Sequence, residues 1–511
     1  MGIIGITLSL YGSSAKCETV SPVNGDNATD TSLEARFWSA YKSAFFRKLP
    51  NGTISVVPYF SVKSPNSQKD QIPSEAMGHA LVFAAQRNDW KAFNELLNGL
   101  SYFRKDSGVF RWRICADGTV APGEDNLNSA SETEQNVAYA LLMAYEKTSN
   151  PTYKDKALEL LKSIWQEEVI DYQGKKIIMP ADLHNNQTDW PIKVDPSGDK
   201  HLYWYTAYSS PEHLRKFAEY DTAHDWPRVI NDWYELMNNV LDMATAPGGR
   251  DCFRIAPDGI NPIPHVIWLT ARSGSTEMKV EPVPDWFVDA LGSKYSDEGD
   301  SIRIPLYIGM DASNWQAKDF LTKFYKKMFD RGINLDYPEE AVCRLQNEEA
   351  KTRLMSIGAY AVGLKAIGRD VSQFAFALEN GQNVMSMFNP GDSKGGYYNQ
   401  TIWYYSYFLL KSPSSSDKLK AATNDHIIIR PNPYRPGSGR KVTFWNLPPN
   451  AEMKIYNIAG ELVKKDTANY QGMYEWDGTN SDLRRISPGF YIVVASDDQG
   501  HMVKGRLGIG Y

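Results

Sequence analysis

A change in the spacing of apolar residues near residue 411 constrains the fold more than any other feature of this sequence. From about residue 33 to 411, apolar residues recur every three to four positions, as they do in amphipathic helices. Beyond residue 425 they alternate with polar residues in short runs separated by Pro-Gly, Ala-Gly and Asp-Gly turns, a pattern typical of strands. The chain is therefore predicted to be mainly α, with a small β-sandwich at its C-terminus.

The helical part divides into periodic segments that follow one another in hairpin-like pairs, with almost no alternating pattern between them. This arrangement predicts an (α/α)6 barrel, in which six inner helices form a closed ring inside six outer ones, over residues 33–411. A helical solenoid is the alternative, although no fixed-period repeat supports it. The segments are 33–48, 75–87, 90–104, 131–148, 151–166, 211–220, 226–244, 300–312, 315–331, 349–367, 371–380 and 397–411. The long connections at 167–203 and 245–299, rich in Pro, Gly and Trp, are predicted to be active-site loops.

Two further stretches are predicted to lie outside the folded domains. Residues 1–32 form a leader whose apolar start is like the end of a secretory signal without its basic region, and an expression remnant is an equal alternative. Residues 412–424, rich in Ser and Pro, are predicted to be a linker to the β domain at 425–511. Because no later apolar run approaches about 18 residues, no membrane span is predicted.

Composition narrows the classes of partner and chemistry. A formal net charge of −6 gives no basic surface for nucleic acid, so a nucleic-acid partner is not expected. Aromatic residues make up 12% of the chain, with 14 Trp and 29 Tyr, which favours flat hydroxylated ligands such as sugars or, alternatively, a large helical core. The eight histidines form no His-Glu-x-x-His motif, so neither a metal nor another cofactor is predicted. The four cysteines form no Cys-x-x-Cys motif and allow at most an isolated disulfide bridge.

Acidic residues stand at the predicted starts of three helices, and in a ring of helices alternate starts open on the same side. Each has a structural explanation as well as a catalytic one. Glu75 can be a partner of the helix dipole after a Ser74 cap, Ser131 with Glu134 can be a capping box, and the pair of Asp300 and Arg303 can be a surface ion pair. The three segments are Ser74-Glu75, Ser131-Glu132-Thr133-Glu134 and Asp300-Ser301-Ile302-Arg303.

The order and spacing of these segments resemble the family 8 glycoside hydrolases. That family consists of inverting enzymes with an (α/α)6 barrel that cut β-1,4-linked glycans, and the resemblance covers about residues 33–411. The ordered set of segments is specific, whereas no segment is specific alone. The set is Ser74-Glu75, Gly108-Val109-Phe110-Arg111-Trp112, Ala130-Ser131-Glu132-Thr133-Glu134, Tyr208-Ser209-Ser210-Pro211, Asp300-Ser301-Ile302-Arg303 and Gly396-Tyr397-Tyr398-Asn399.

The resemblance implies a role for each of these residues. Glu75 is implied as the general acid and Asp300 as the general base, with Arg303 keeping Asp300 ionised through its positive charge. Glu132 is expected to hold the sugar at the −1 subsite and to raise the pKa of Glu75. The resemblance also implies that Tyr208 helps to hold the attacking water and that Trp112 is a platform for a sugar ring. Tyr205 and Tyr398 lie near these motifs and are predicted to stack on sugar rings or, alternatively, to pack within the barrel.

The sequence also departs from the family pattern. Glu132 stands where the family has Asp, and the side chain is one methylene longer, so the −1 subsite is expected to differ in shape. Ala76 and His79-Ala80 stand where the family prefers Gly and a Tyr-Gly pair. Tyr205-Thr206-Ala207 replaces the usual Asn-Pro-Ser. The identity of the substrate therefore does not follow from the resemblance.

The C-terminal segment has a resemblance of its own. Its motifs are similar to those of FlgD-type immunoglobulin-like domains, which stand at the C-termini of many exported bacterial proteins and can serve as sorting signals. This implies a secreted or cell-surface location in a bacterium, with secretion machinery or the cell surface as a partner. An inert spacer and a module packed on the barrel are the alternatives. The motifs are Arg430-Pro431-Asn432-Pro433-Tyr434, Tyr456-Asn457-Ile458-Ala459-Gly460, Trp476-Asp477-Gly478 and Ser487-Pro488-Gly489.

The predicted function is that of a monomeric inverting hydrolase that cleaves internal β-1,4 linkages of a plant-type polysaccharide, either β-glucan and cellulose or xylan. A chitosanase and a reducing-end xylo-oligosaccharide hydrolase are the alternatives among enzymes. Because the motifs are altered, a catalytically inactive glycan-binding protein is the alternative from another class.

Overall fold

A computed structural model provides the three-dimensional structure of the chain. The structure describes residues 32–49, 52–56, 71–115, 117–121, 127–182, 191–243, 263, 266–283, 301–330, 350–372, 374–375, 378, 397–411, 427–436, 441–445, 447–448, 450–469, 472–497 and 502–510. The predicted leader and linker lie outside these residues, apart from Ser32. Most of the predicted helix at 371–380 lies outside them as well.

Helices occupy most of the described residues up to 411. They are α1 (Leu33–Phe45), α2 (Ser74–Arg87), α3 (Trp90–Gly99), α4 (Ser131–Thr148), α5 (Pro151–Glu167), α6 (Pro211–Tyr220), α7 (Trp226–Met243), α8 (Arg303–Met310), α9 (Trp315–Asp330), α10 (Ala350–Ala366) and α11 (Tyr397–Lys411). Most bounds agree with the predicted segments within a few residues. The first segment ends earlier than predicted, because the chain changes to a strand at Phe46, and the third ends at Gly99, where a short 3-10 turn follows.

Six of the described helices form a closed ring. In order around the ring they are α2, α4, α6, α8, α10 and α11, and α11 returns to contact α2. The other described helices pack outside this ring, α3 on α2, α5 on α4, α7 on α6, α9 on α8 and α10, and α1 on α11. The predicted helical barrel is therefore observed.

Glycines let the inner helices approach one another closely. A Cβ atom added at Gly78 of α2 would lie 3.0 Å from the Asn136 Cβ and 3.2 Å from the Thr133 carbonyl oxygen, both on α4. At Gly358 of α10, an added Cβ would lie 2.6 Å from the Ser406 Cβ on α11. The contact at Gly78 explains how the first turns of α2 and α4, which carry Glu75 and Glu132, come to lie side by side.

The connections between helices contain strands, which corrects the prediction that strand patterns are almost absent from the body. They are β1 (Phe46–Lys48), β2 (Ile54–Val56), β3 (Gln71–Pro73), β4 (Arg113–Cys115), β5 (Val169–Tyr172), β6 (Lys175–Ile178), β7 (Ile192–Val194), β8 (Lys200–Tyr205), β9 (Val266–Ala271) and β10 (Met278–Pro282). The last four form an antiparallel sheet in the order β10-β9-β8-β7. Strand β8 is buried from His201 to Trp204, on both faces, so its sequence shows no alternation.

The C-terminal residues form two antiparallel sheets around a separate apolar core. The strands are β11 (Ile428–Arg430), β12 (Val442–Trp445), β13 (Glu452–Asn457), β14 (Leu462–Thr467), β15 (Tyr474–Trp476), β16 (Gly489–Ser496) and β17 (Met502–Ile509). They pair as β11-β12-β15 and as β14-β13-β16-β17. The predicted strand-rich domain is thus observed, whereas its relation to the immunoglobulin-like domains stays a prediction. A loop of this domain touches the body, since a Cβ added at Gly472 would lie 3.0 Å from the Trp315 ring.

Two further observations concern the chain as a whole. None of the described helices is both long and apolar enough to span a bilayer.

Cys115, at the end of β4, is disulfide-bonded, and its partner lies outside the described residues. The isolated bridge that the sequence left open is therefore present.

A buried ion pair joins three helices on the outer side of the ring. The Arg215 Nε of α6 donates to Asp311 Oδ1 at 2.7 Å, and Tyr234 Oη of α7 donates to Asp311 Oδ2 at 2.8 Å. Asp311 directly follows the last residue of α8 and is fully buried. Removing its carboxylate would leave a guanidinium enclosed without a counter-charge, which is costly in a protein interior.

We predict that Asp311→Ala lowers the free energy of unfolding by about 3–5 kcal/mol, because Arg215 loses its buried partner. The matched control is Asp319→Ala, which breaks the 2.6 Å pair of Asp319 with Lys323 on the exposed side of α9. Exposed pairs of this type contribute about 0.3–0.5 kcal/mol. Urea unfolding of the two variants measures the difference, and equal losses in both would contradict the structural role of Asp311.

Candidate active site

The first predicted acid, Glu75, lies in the first turn of α2, directly after strand β3. Strand β3 pairs with β4 so that Pro73 faces Arg113, and the Ser74 N–H donates to the Trp112 carbonyl at 2.8 Å. Ser74 does not cap the helix, which corrects that interpretation: the N-cap is Pro73, and the Ser74 hydroxyl hydrogen-bonds to Thr133 Oγ1 of α4 at 2.9 Å. The strand pair thus fixes the place of Glu75 relative to Trp112.

Trp112 hydrogen-bonds to the Glu75 carboxyl group. Its indole Nε1–H donates to Glu75 Oε2 at 2.8 Å, and the Arg113 guanidinium covers one face of the Trp112 ring at 3.8 Å from its centroid. One face of the indole is therefore occupied, so stacking on a sugar, as predicted for Trp112, would have to use the other face.

The surroundings of Glu75 favour its protonated form at neutral pH. Burial raises the pKa of Glu75 to about 7, and the negative charge of Glu132 contributes to the increase. The hydrogen bond from Trp112 and the charges of Arg113 and Arg303 act in the opposite direction and are outweighed. Part of Glu75 still reaches solvent, so the carboxyl group is accessible to a ligand.

The second predicted acid, Glu132, is buried in the first turn of α4 and is held by α8. Arg303 Nη1 donates to Glu132 Oε2 in a short ion pair, and Tyr307 Oη donates to Glu132 Oε1 at 2.5 Å. His79 Nε2 of α2 lies 3.7 Å from the same Oε1. Arg303 therefore pairs with Glu132, and its predicted effect on Asp300, which lies outside the described residues, stays a prediction.

The remaining predicted residues are only partly described. The Arg303 guanidinium lies 5.4 Å from the centroid of the Tyr208 ring, and the rings of Tyr205 and Tyr208 are 4.8 Å apart, so both tyrosines border the pair of Glu132 with Arg303. Tyr398 belongs to the first turn of α11, but its side chain lies outside the described part of the chain. Asp300 also lies outside it, so the structure does not test its predicted position.

The interpretation of Ser131 with Glu134 as a capping box is wrong. The N-cap of α4 is Ala130, which has no side-chain bond to the helix, and Glu134 Oε1 accepts the Phe110 N–H at 2.7 Å. Glu134 is fully buried, so burial raises its pKa well above the usual value, and the nearby Glu168 raises it further. Glu134 therefore holds the backbone at Phe110, two residues before Trp112, and it lies away from solvent.

Sequence analysis missed two residues of the site as functional candidates. Tyr307 and His79 both contact Glu132, but neither carries a catalytic motif. A signal was nevertheless present, because Tyr307 follows Arg303 by four positions and His79 follows Glu75 by four, which places each on the same helix face as the motif residue. On both helices a polar side chain thus follows the motif residue one helical turn later and on the same face.

The geometry combines two carboxyl groups in different environments. Glu75 is an accessible carboxyl group that titrates near neutral pH, and Glu132 is an enclosed partner of a guanidinium. Such a pair can give a proton to a ligand oxygen and hold polar groups of the ligand nearby. Among the described residues there is no group of three or more His, Cys, Asp or Glu side chains that could bind a metal.

Comparison with known proteins gives the relationship. Residues 24–247 match the model of Glycosyl hydrolases family 8. This matched stretch, less than half of the chain, is similar to that family. It contains Glu75, Trp112, Glu132 and Tyr208, whereas Asp300 and Arg303 lie beyond the matched range.

Relatives with curated names are distant. The chain is 23% identical over 211 residues to Endoglucanase 2 of Ruminiclostridium josui, covering 41% of each protein. It is 23% identical over 318 residues to Endoglucanase A of Acetivibrio thermocellus, covering 60% of this chain and 56% of that one. The chain thus spans about half the length of the curated relatives it matches.

A solved structure shares the fold. The β-1,3-1,4-glucanase from Paenibacillus sp. X4 aligns with a TM-score of 0.50 and 14% identity, over 78% of this chain and 97% of that one. At this level of identity the alignment shows a common helical-barrel fold, and it carries no conclusion about substrate.

We predict that Trp112→Phe raises the pKa of Glu75 above its parental value of about 7, because the indole N–H stabilises the ionised carboxylate and phenylalanine cannot. The carboxyl stretch of Glu75, isolated by infrared difference between each protein and its Glu75→Gln derivative, measures the midpoint. Trp165→Phe on α5 is the control and leaves the midpoint unchanged, since Trp165 stacks on His224 away from Glu75. An unchanged or lower midpoint in Trp112→Phe would show that this bond does not act on the carboxylate.

Proposed function

We propose that this protein is an inverting glycoside hydrolase that cleaves internal β-1,4 linkages of a glucan or a xylan. The observation that carries the proposal is Glu75, a partly exposed carboxyl group whose pKa is raised to about 7 and which lies within the stretch that matches the family 8 model. A general acid for a glycosidic oxygen needs this combination of access and a raised pKa.

In the proposed reaction Glu75 protonates the oxygen of the leaving sugar. Asp300 acts as the general base and takes a proton from the water that attacks the anomeric carbon from the opposite face, which inverts its configuration. Such enzymes hold the two carboxyl groups about 6.5–9.5 Å apart, so that a water fits beneath the sugar ring. Asp300 precedes Arg303 by three residues, and Arg303 reaches the end of the ring that carries Glu75 and Glu132, which supports this assignment.

Glu132, Tyr208 and Tyr205 are proposed to hold the sugar next to Glu75. Because Glu132 is fixed by Arg303 and Tyr307, its charge stays near Glu75 and keeps the acid protonated, while the tyrosines offer hydroxyl groups at the border of the site. Trp112 and Tyr398 are proposed as platforms for neighbouring sugars, Trp112 through the face that Arg113 leaves open.

The choice of substrate rests on the relatives. Two of them are named endoglucanases, so β-glucan is the first substrate to test and xylan the second. A chitosanase and a reducing-end xylo-oligosaccharide hydrolase remain the alternatives within the same chemistry. The predicted active-site connections at 167–203 and 245–299 would distinguish them, and their parts at 183–190, 245–262 and 284–299 lie outside the described residues.

We also propose that the protein is exported and acts as a monomer, secreted or attached to the cell surface through its C-terminal domain. The disulfide at Cys115 supports this, because disulfides persist in oxidising compartments outside the cytosol. Detection of the protein in culture medium or on the cell surface, against a variant that ends at residue 411, tests the role of the C-terminal domain.

We predict that Glu75→Gln and Asp300→Asn each lower kcat on soluble β-glucan about 10²–10⁴-fold, because each removes a proton donor or acceptor of the reaction. Reducing-sugar release measures the rates, and circular dichroism checks that both variants are folded. Glu159→Gln, at an exposed position on α5, is the control and should retain the parental rate. Parental rates in a pure Glu75→Gln, Asp300→Asn double variant would contradict the assignment.

We predict that hydrolysis of a β-1,4-linked oligosaccharide first releases the α-anomer, because attack from the face opposite the leaving group inverts the configuration. Proton NMR during the first minutes distinguishes this from retention, in which the β-anomer appears first. Carboxymethylcellulose, lichenan, xylan and chitosan, tested side by side, give the substrate class. Binding to a glycan without release of sugar from any of them would support the glycan-binding alternative.

A further inference from the structure

His79 is enclosed beneath the proposed active site and faces Glu132. It follows Glu75 by four positions on α2, so both side chains point to the same side of the helix, with His79 one turn deeper. The residue is 1% exposed, and its Nε2 lies 3.7 Å from Glu132 Oε1. Burying a polar imidazole ring costs free energy, so its position beside the Glu132 carboxylate suggests a role in addition to packing.

The neighbours of the ring define its hydrogens. Asn136 Nδ2, a donor without acceptor capacity, lies 3.5 Å from His79 Nδ1, and the Tyr405 hydroxyl lies 3.4 Å from the same nitrogen. Because Asn136 Nδ2 can only donate and the Tyr405 hydroxyl can donate as well, we infer that Nδ1 accepts and that Nε2 carries the hydrogen. The N–H group of a neutral imidazole then points at the Glu132 carboxylate.

The charged groups around His79 favour this neutral state. Burial lowers the pKa of His79 to about 4, and the Arg303 charge on α8 also lowers it, outweighing the attraction of Glu132 on α4. Among the described residues, His213 on α6 and Tyr405 on α11 also face it. Glu132 is already neutralised by the positive charge of Arg303, so a protonated His79 would add an uncompensated positive charge to the site.

We propose that His79 is a positioning residue of the active site: its neutral Nε2–H, 3.7 Å from Glu132 Oε1 and thus beyond hydrogen-bond length, directs its dipole at the Glu132 carboxylate, offsets part of its charge and orients it from the α2 side. Arg303 and Tyr307 both approach Glu132 from α8, and His79 approaches from α2. Glu132 is thus fixed between two inner helices, one of which carries the proposed general acid. This inference rests on the proposed function for its catalytic consequence, although its structural part does not.

The test is a double-variant cycle with the titration of Glu75 as its readout. His79→Leu removes the ring nitrogens at similar volume. Without the Nε2–H dipole less of the Glu132 charge is offset and more of it acts on Glu75, so the infrared midpoint of Glu75 is expected to rise by about half a pH unit or more. In the Glu132→Gln background the same substitution should leave the midpoint unchanged, because no carboxylate remains to be held.

Two further variants separate positioning from packing. His79→Gln keeps a neutral N–H donor and should restore the parental midpoint, which also provides a readout if His79→Leu does not fold. His201→Leu is the matched control, since His201 likewise lies between a hydroxyl, Thr270 Oγ1, and a carboxylate, Asp195, but does not contact Glu132. It is expected to leave the midpoint of Glu75 unchanged.

Activity on β-glucan gives the second readout of the cycle. We expect His79→Leu to lower kcat roughly tenfold with little change in KM, and to have a much smaller effect in the Glu132→Gln background. No rise of the midpoint in His79→Leu, or an equal rise in both backgrounds, would overturn the proposal. The titration needs no substrate, so an absence of hydrolysis by the parent protein would refute the proposed function and leave this test valid.

Discussion

The buried ion pair of Glu132 with Arg303 is the interaction on which the proposed site depends. It connects the first turn of α4 to the first turn of α8, two helices that are far apart in sequence and are not direct neighbours in the ring. A pair of this kind is costly to desolvate and is retained only where its geometry is well satisfied, which the added contacts of Tyr307 and His79 achieve here. The pair lies between inner helices of the ring, so it places charged groups inside a barrel whose helices otherwise pack mainly through apolar side chains.

The raised pKa of Glu75 follows from this arrangement. A carboxylate in the first turn of a helix is ordinarily stabilised by the helix dipole, which favours ionisation. Here enclosure by the neighbouring helices and the fixed negative charge of Glu132 outweigh that effect together with the Trp112 bond. A close approach of α2 to α4, made possible by Gly78, is what places the two acids near each other.

Two departures from the family pattern meet in space. Glu132 has a longer side chain than the expected aspartate, and His79 has a smaller ring than the expected tyrosine, and their polar atoms face each other at 3.7 Å. In the sequence they are 53 positions apart and look like unrelated changes. In the structure these two side chains lie next to each other, on α2 and α4, so the two departures are linked in space.

The sequence by itself determined which segments are helical, where the helical body gives way to strands, and the order of motifs that indicates a family 8 domain. These properties are local, because a period of about 3.6 or of two residues is readable in any short window. Only the tertiary structure decided that Arg303 binds Glu132, that Ser131 and Glu134 form no capping box, and that the long connections contain a sheet. Such partners depend on which helix ends meet when the ring closes, and short strands buried on both faces leave no alternation to read.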